Sequence, residues 1–185
     1  MFRHLVCTAA VLMWFSGCGN ASAPDADLVK AEAFIDAFYS FDPDRLGPML
    51  DAAPESVASI MSYQGFAEGG NYKILQRGVC IADADHVISC SITVQDDPVL
   101  ALKTGFNVTD TFTLTFVDGQ VVTVETSSND QPVYFEARKW VERELPEVMA
   151  GPCKKDGATR ATPGDCARAM TEGYRRFAES DEYPR

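Results

Sequence analysis

The 185-residue chain reads as an α+β domain in which helices come first and an antiparallel sheet follows. Two observations predict this. Apolar residues recur at helical spacing up to about residue 67, then switch to a period of two. Next, Asp118-Gly119 stands between Asp110–Val117 and Gln120–Glu125, a two-residue turn of the kind that closes a β-hairpin. Helices before a run of strands imply segregated layers, not alternating βα units.

The first helix is carried by Leu28, Ala31, Ile35 and Phe38, with Asp25 or Asp27 placed to cap its start. Phe41-Asp42-Pro43-Asp44 breaks it and opens a second helix from Pro43 to about Leu50. A third runs from about Pro54 to Ala67, with Val57, Ile60, Met61 and Gln64 as its stripe, and ends at Gly69-Gly70. Strands are expected over Ile74–Ile81 and Val87–Val94, joined by the polar turn Asp83-Ala84-Asp85. In the hairpin, Phe112, Leu114 and Phe116 alternate with Thr111, Thr113 and Thr115, so one face is apolar. Pro132 starts a helix bearing Val133, Ala137, Trp140 and Val141, and a last helix begins at Cys166 with Met170, Tyr174 and Phe177. A strongly curved sheet wrapped around the first helices would make a cone-like interior lined by Phe and Val.

The N-terminus carries a cationic start at Arg3 and His4, an apolar run from Leu5 to Phe15, and then Ser16-Gly17-Cys18. The run is shorter than the roughly twenty residues a membrane span needs, so residues 1–17 read as a secretory signal. Two cleavage sites compete. Ala21-Ser22-Ala23 has the ordinary A-x-A form but is followed by Pro24, and the small pair before Cys18 resembles a bacterial lipobox. In the lipobox reading Cys18 is lipidated, residues 18–27 form a short tether, and the mature chain holds 168 residues. Acyl chains contribute about 0.8 kcal/mol per buried methylene, so two or three anchor a protein without a transmembrane helix. Gly19 instead of Asp after the cysteine favours the outer membrane, facing the periplasm.

Of six cysteines, Cys7 leaves with the signal and Cys18 takes lipid. The remaining four allow three pairings, and an oxidising compartment favours disulfides. Spacing favours Cys80–Cys90 across a hairpin and Cys153–Cys166 around a loop rich in Gly, Lys and Pro. Neither pair has CxxC spacing, and no EF-hand pattern occurs, so the chain implies no metal or cofactor. Its net charge of −11, or −12 once Arg3 is removed, disfavours nucleic-acid binding and attachment to anionic lipid by charge. The partners that remain are the membrane, through the anchor, and an apolar small molecule or an envelope protein. Asn107-Val108-Thr109 fits a glycosylation acceptor by pattern, idle behind a bacterial signal.

Phe41-Asp42-Pro43-Asp44-Arg45-Leu46 after an amphipathic helix, followed by Asp110-x-Phe112-x-Leu114 and Asp118-Gly119-x-Val121, resembles the nuclear transport factor 2-like superfamily. That group includes SnoaL-type proteins and ketosteroid isomerases. The resemblance covers about Asp27 to Asn129. It implies a cone-like domain over residues 28–130 and leaves 131–185 as a C-terminal helical extension. Isomerases of this family use a tyrosine on the first helix, a general-base aspartate and an aspartic acid on a late strand. Here Phe34 falls at the tyrosine position and Ala58 at the base, while Asp110 matches the late acid.

The expected function is therefore a non-enzymatic binding or protein-interaction module. The alternative is a SnoaL-like isomerase or lyase acting on an apolar molecule, with Asp110, Tyr39 and His86 as acid–base groups. Tyr39 could point into the cone. His86 is the only histidine of the mature chain, and Tyr63, Gln64 and Phe66 could line the cavity mouth. Trp140 is expected to dock its helix on the sheet.

Overall fold

The computed structural model describes residues 23–157 and 159–184. Cys7, Cys18, His4 and the signal segment lie outside the described residues. The protein is a mixed helix and sheet structure whose sheet is antiparallel throughout.

Helix α1 (Ala23–Phe38) buries Ala31, Phe34, Ile35 and Phe38. It begins before the aspartate expected to cap it. Asp27 lies inside the helix at 2% exposure and meets His86 from the sheet. Ser40 and Phe41, the latter at a φ of 56°, end the helix, and Asp42 caps α2 (Pro43–Leu46) by accepting from the Asp44 N–H at 3.0 Å. The helix expected to run on to Leu50 tightens into a 3-10 turn over Gly47–Leu50, where Pro48 has no N–H to extend α2.

Helix α3 (Pro54–Gly69) buries Ser56, Ile60, Gln64 and Ala67; Val57 faces solvent at 37% exposure, so the apolar stripe is displaced from the expected one. Two polar side chains on the buried face tie α3 to its neighbours. Gln64 Nε2 donates to the carbonyls of Ala37 (3.2 Å) and Phe38 (3.0 Å), satisfying orphan acceptors at the end of α1. Ser56 Oγ accepts from the Val124 N–H at 3.0 Å.

The run expected as one strand over Ile74–Ile81 is two, β1 (Lys73–Arg77) and β2 (Ile81–Ala84). Both pair with β3 (Val87–Gln95), along the same edge. Gly78 makes the break, donating to Ser91 O at 2.9 Å where an added Cβ would meet that same oxygen at 2.9 Å. The Cys80–Cys90 disulfide crosses the same point. The turn lies at Asp85-His86, with β2 continuing through Ala84 and His86 at a φ of 61°.

Strands β4 (Val108–Val117) and β5 (Gln120–Ser128) complete the sheet, closed by Asp118 and Gly119 at φ of 50° and 70°. Both positive values fit a turn that matches the right-handed strand twist. On β4, Val108, Asp110, Phe112, Leu114 and Phe116 point inward, and the threonines between them outward. The register aligns Ile92, Asp110 and Ser128 across β3, β4 and β5.

A short helix α4 (Asp97–Ala101) follows β3. Helix α5 (Pro132–Glu144) leads into the brief α6 (Pro146–Ala150). The loop between Cys153 and Cys166, joined by the second disulfide, folds into a small hairpin, β6 (Lys155–Asp156) and β7 (Thr159–Arg160). The last helix, α7 (Pro163–Glu179), starts three residues before Cys166 because Pro163 fits the first helical position. Helices α4, α5 and α7 bury a second core of Leu102, Ala137, Val141, Met170, Tyr174 and Phe177. Trp140 packs on Phe177 at 5.9 Å and donates to Glu182 at 3.1 Å, so it anchors α5 to α7 and not to the sheet.

Helices α3 and α7 cross at glycines. A Cβ on Gly69 would lie 2.3 Å from the Gly164 carbonyl oxygen, while one on Gly47 would meet nothing within 4 Å. Gly69→Ala should lower unfolding stability by about 1–3 kcal/mol in chemical denaturation followed by circular dichroism. Gly47→Ala, at an ordinary helical φ of −50°, should leave stability unchanged or slightly raised.

Candidate functional site

A pocket of about 610 Å³ opens between α3, β5, α5 and the β7 hairpin. That volume falls in the range of small-molecule sites. Its aromatic wall comes from Tyr63 and Phe66 on α3, Tyr72 after it, and Tyr134 on α5. Ser59, Ser62, Thr126, Ser127 and Ser128 add hydroxyls. The helical period sets this division on α3: Ile60, Gln64 and Ala67 go to the core, and Ser59, Ser62, Tyr63 and Phe66 to the pocket. Gln64, expected at the cavity mouth, is withdrawn to bind the end of α1.

Asp110 lies one hydroxyl behind this wall. It is 1% exposed, and its carboxylate accepts from Tyr39 Oη at 3.1 Å and from Ser128 Oγ at 2.7 Å. Burial pushes the Asp110 carboxyl above its ordinary range; the hydroxyls of Tyr63, Ser128 and Tyr39 pull it back only in part. Tyr39 is raised well above its ordinary value, first by burial and then by the charge and hydrogen bond of Asp110. The rings of Phe38, Tyr39 and Tyr63 surround Phe112 at 4.8 to 6.2 Å, so this polar contact sits in an aromatic shell. Of the three acid–base candidates, the fold thus brings Asp110 and Tyr39 together. His86 stands apart at the far end of β3, six residues from the level of Asp110, or about 20 Å along the strand. There its Nδ1 contacts Asp27 Oδ2 at 2.9 Å.

Two further carboxyls share the interior. Asp130 lines the pocket and is raised by burial and by the charge of Asp110. Asp96, 1% exposed, caps α4 through Oδ1, which accepts from the Val99 N–H at 2.8 Å; its Oδ2 has no partner among the described residues. Burial pushes Asp96 up to about 7, against the Val99 hydrogen bond and with help from Asp110, Asp130 and Asp97. The short motif Asp96-Asp97-Pro98, a cap followed by proline, was the available signal for α4. No pattern in the sequence pointed to the β7 hairpin as a pocket wall. Among the described residues no group of three or more His, Cys, Asp or Glu is placed to hold a metal ion.

No protein family, curated protein or solved structure matches the chain.

Asp96 sets the sign of a pH effect. The unfolded carboxyl loses its proton near 3.8 and the folded one near 7, so its contribution to stability falls as pH rises between these values. Asp96→Asn keeps an oxygen for the cap and removes the charge. It should be more stable than the parent at pH 8, by up to about 4 kcal/mol for roughly three pK units at about 1.4 kcal/mol each, and little changed at pH 4. Thermal unfolding at both pH values checks this.

Proposed function

We propose that this protein is an envelope lipoprotein whose α+β domain binds a small apolar molecule. In this reading residues 28–130 form a nuclear transport factor 2-like cone with a strongly curved sheet, residues 131–185 form its helical extension, and acyl chains on Cys18 hold it at the outer membrane facing the periplasm. The single observation that carries the binding role is the pocket of about 610 Å³ with five aromatic residues in its lining and hydroxyls between them. Such a site offers apolar contact and a few fixed polar groups, the usual composition of a ligand cavity. Asp110 supports binding more than chemistry, because its oxygens are engaged by hydroxyls of the fold and it is withdrawn behind Ser128.

The second reading, a SnoaL-like isomerase or lyase, draws on the Tyr39–Asp110 contact, in which a carboxyl with a raised pKa meets a tyrosine. It requires substrate to displace Ser128, and it does without His86. It calls for protein-dependent exchange of a ketone's α-hydrogens in D2O, abolished by Asp110→Asn. The binding reading expects none.

Phenylnaphthylamine, a neutral aromatic dye that brightens when removed from water, tests the pocket. Its fluorescence should rise on binding, and Ser62→Trp, which fills the cavity from α3, should weaken binding at least tenfold (about 1.4 kcal/mol). Unchanged binding in that variant would place the dye elsewhere. Fractionation tests the anchor: Cys18→Ser should move the protein from the membrane to the soluble fraction, and sedimentation with membranes would refute acylation.

A further inference from the structure

The mouth of the pocket holds a charge that the rest of the chain opposes. The protein has 27 acidic and 16 basic residues, yet Arg138 and Arg160 both line this cavity. Among the described residues Arg77, Arg138, Arg143, Arg168, Arg175 and Arg176 each hold a carboxylate. Arg160 holds none, nor does Arg45 on α2. The Nε of Arg160 is buried and has no hydrogen-bond partner among the described residues. Folded proteins satisfy nearly all such buried donors, and a guanidinium, with five N–H groups and no acceptor, is satisfied only by acceptors.

The surroundings keep this guanidinium in place without using its donors. Its central carbon lies 5.7 Å from the centroid of the Phe66 ring, a cation–π seat on the pocket wall. The hairpin that carries it is bounded by the Cys153–Cys166 disulfide and closed by the Ala161 N–H donating to Lys154 O at 3.2 Å. Across the pocket, Arg138 engages Glu142 through Nε at 3.2 Å in a half-exposed pair one helical turn away, a weak type of ion pair. The acidic groups lining the same cavity are Glu55 and Asp130. Glu55 stands exposed in the first turn of α3, and burial and the charge of Asp110 hold Asp130 toward its neutral form.

We propose that the pocket takes an amphipathic anion, its ring or alicyclic body against Tyr63, Phe66 and Tyr134 and its anionic group on Arg160, with Arg138 as the second cation. The inference rests on the pocket being a binding site, and it names the ligand class. A planar guanidinium can meet a carboxylate or sulfonate through two parallel N–H donors.

Two dyes of one ring body separate this inference from the reading beneath it. Anilinonaphthalene sulfonate carries an anionic group that phenylnaphthylamine lacks. Arg160→Ala and Arg160→Gln should weaken the sulfonate by about tenfold or more and the neutral amine by less than about threefold; Arg160→Lys should recover part of the loss. Equal weakening of both dyes, or no change for the sulfonate, would overturn the anion assignment and leave the pocket standing. Failure of both dyes to bind the parent protein, or binding undisturbed by Ser62→Trp, would overturn the pocket and the assignment together.

Discussion

The structure is organised around a carboxyl that the inward face of a sheet has no room to leave unsatisfied. On β4, Asp110 takes an inward position between Val108 and Phe112, so alternation that would bury an apolar side chain buries a polar one. A buried carboxyl without partners is costly. The partners come from separate elements: Tyr39 from the end of α1 and Ser128 from β5, with the Tyr63 hydroxyl of α3 also drawing the carboxyl toward its charged form. One group thereby fixes where the two main helices stand against the hairpin. Gln64 and Ser56 extend the same logic from α3 to α1 and β5.

This arrangement divides the interior. On one side, Phe34, Phe38, Phe112, Leu114 and Phe116 form a packed apolar core with no exposure above 1%. On the other, the space beyond Tyr63 and Ser128 stays open as the pocket. The second core, built by α4, α5 and α7, brings Tyr134 and Arg138 to that pocket, and the disulfide-bounded hairpin brings Arg160. The C-terminal segment is thus part of the cavity wall. Burial raises Asp96, Asp110 and Asp130 alike; the charge of Asp110 raises the other two further, and that of Asp130 adds to Asp96.

Much of the fold was legible because its signals are local. The Asp118-Gly119 turn and the Phe112, Leu114 and Phe116 alternation give β4 and β5 directly, and the helix bounds at Pro54 and Pro132 follow from proline at the first helical position. What was not legible depended on tertiary contact. Gly78 lies inside a run that reads as one strand over Ile74–Ile81, and only its contact with Ser91 O shows that it splits that strand in two. Val57 and Gln64 have the spacing of one stripe, yet the end of α1 draws Gln64 inward and leaves Val57 in water. Tyr39 and Asp110 could be named as candidates from residue type and spacing, but their contact spans 71 positions. Arg160 carried no sequence signal at all, since its role comes from a hairpin two residues wide on each arm.

The claim that the cavity between α3, β5 and α5 is where this protein meets its ligand is tested most directly by amide nuclear magnetic resonance during titration with phenylnaphthylamine. Shifts should concentrate at Ser62, Tyr63, Ser128 and Tyr134. Shifts concentrated instead at the exposed edge formed by Ile74, Leu75, Val79 and Ile81 would contradict it.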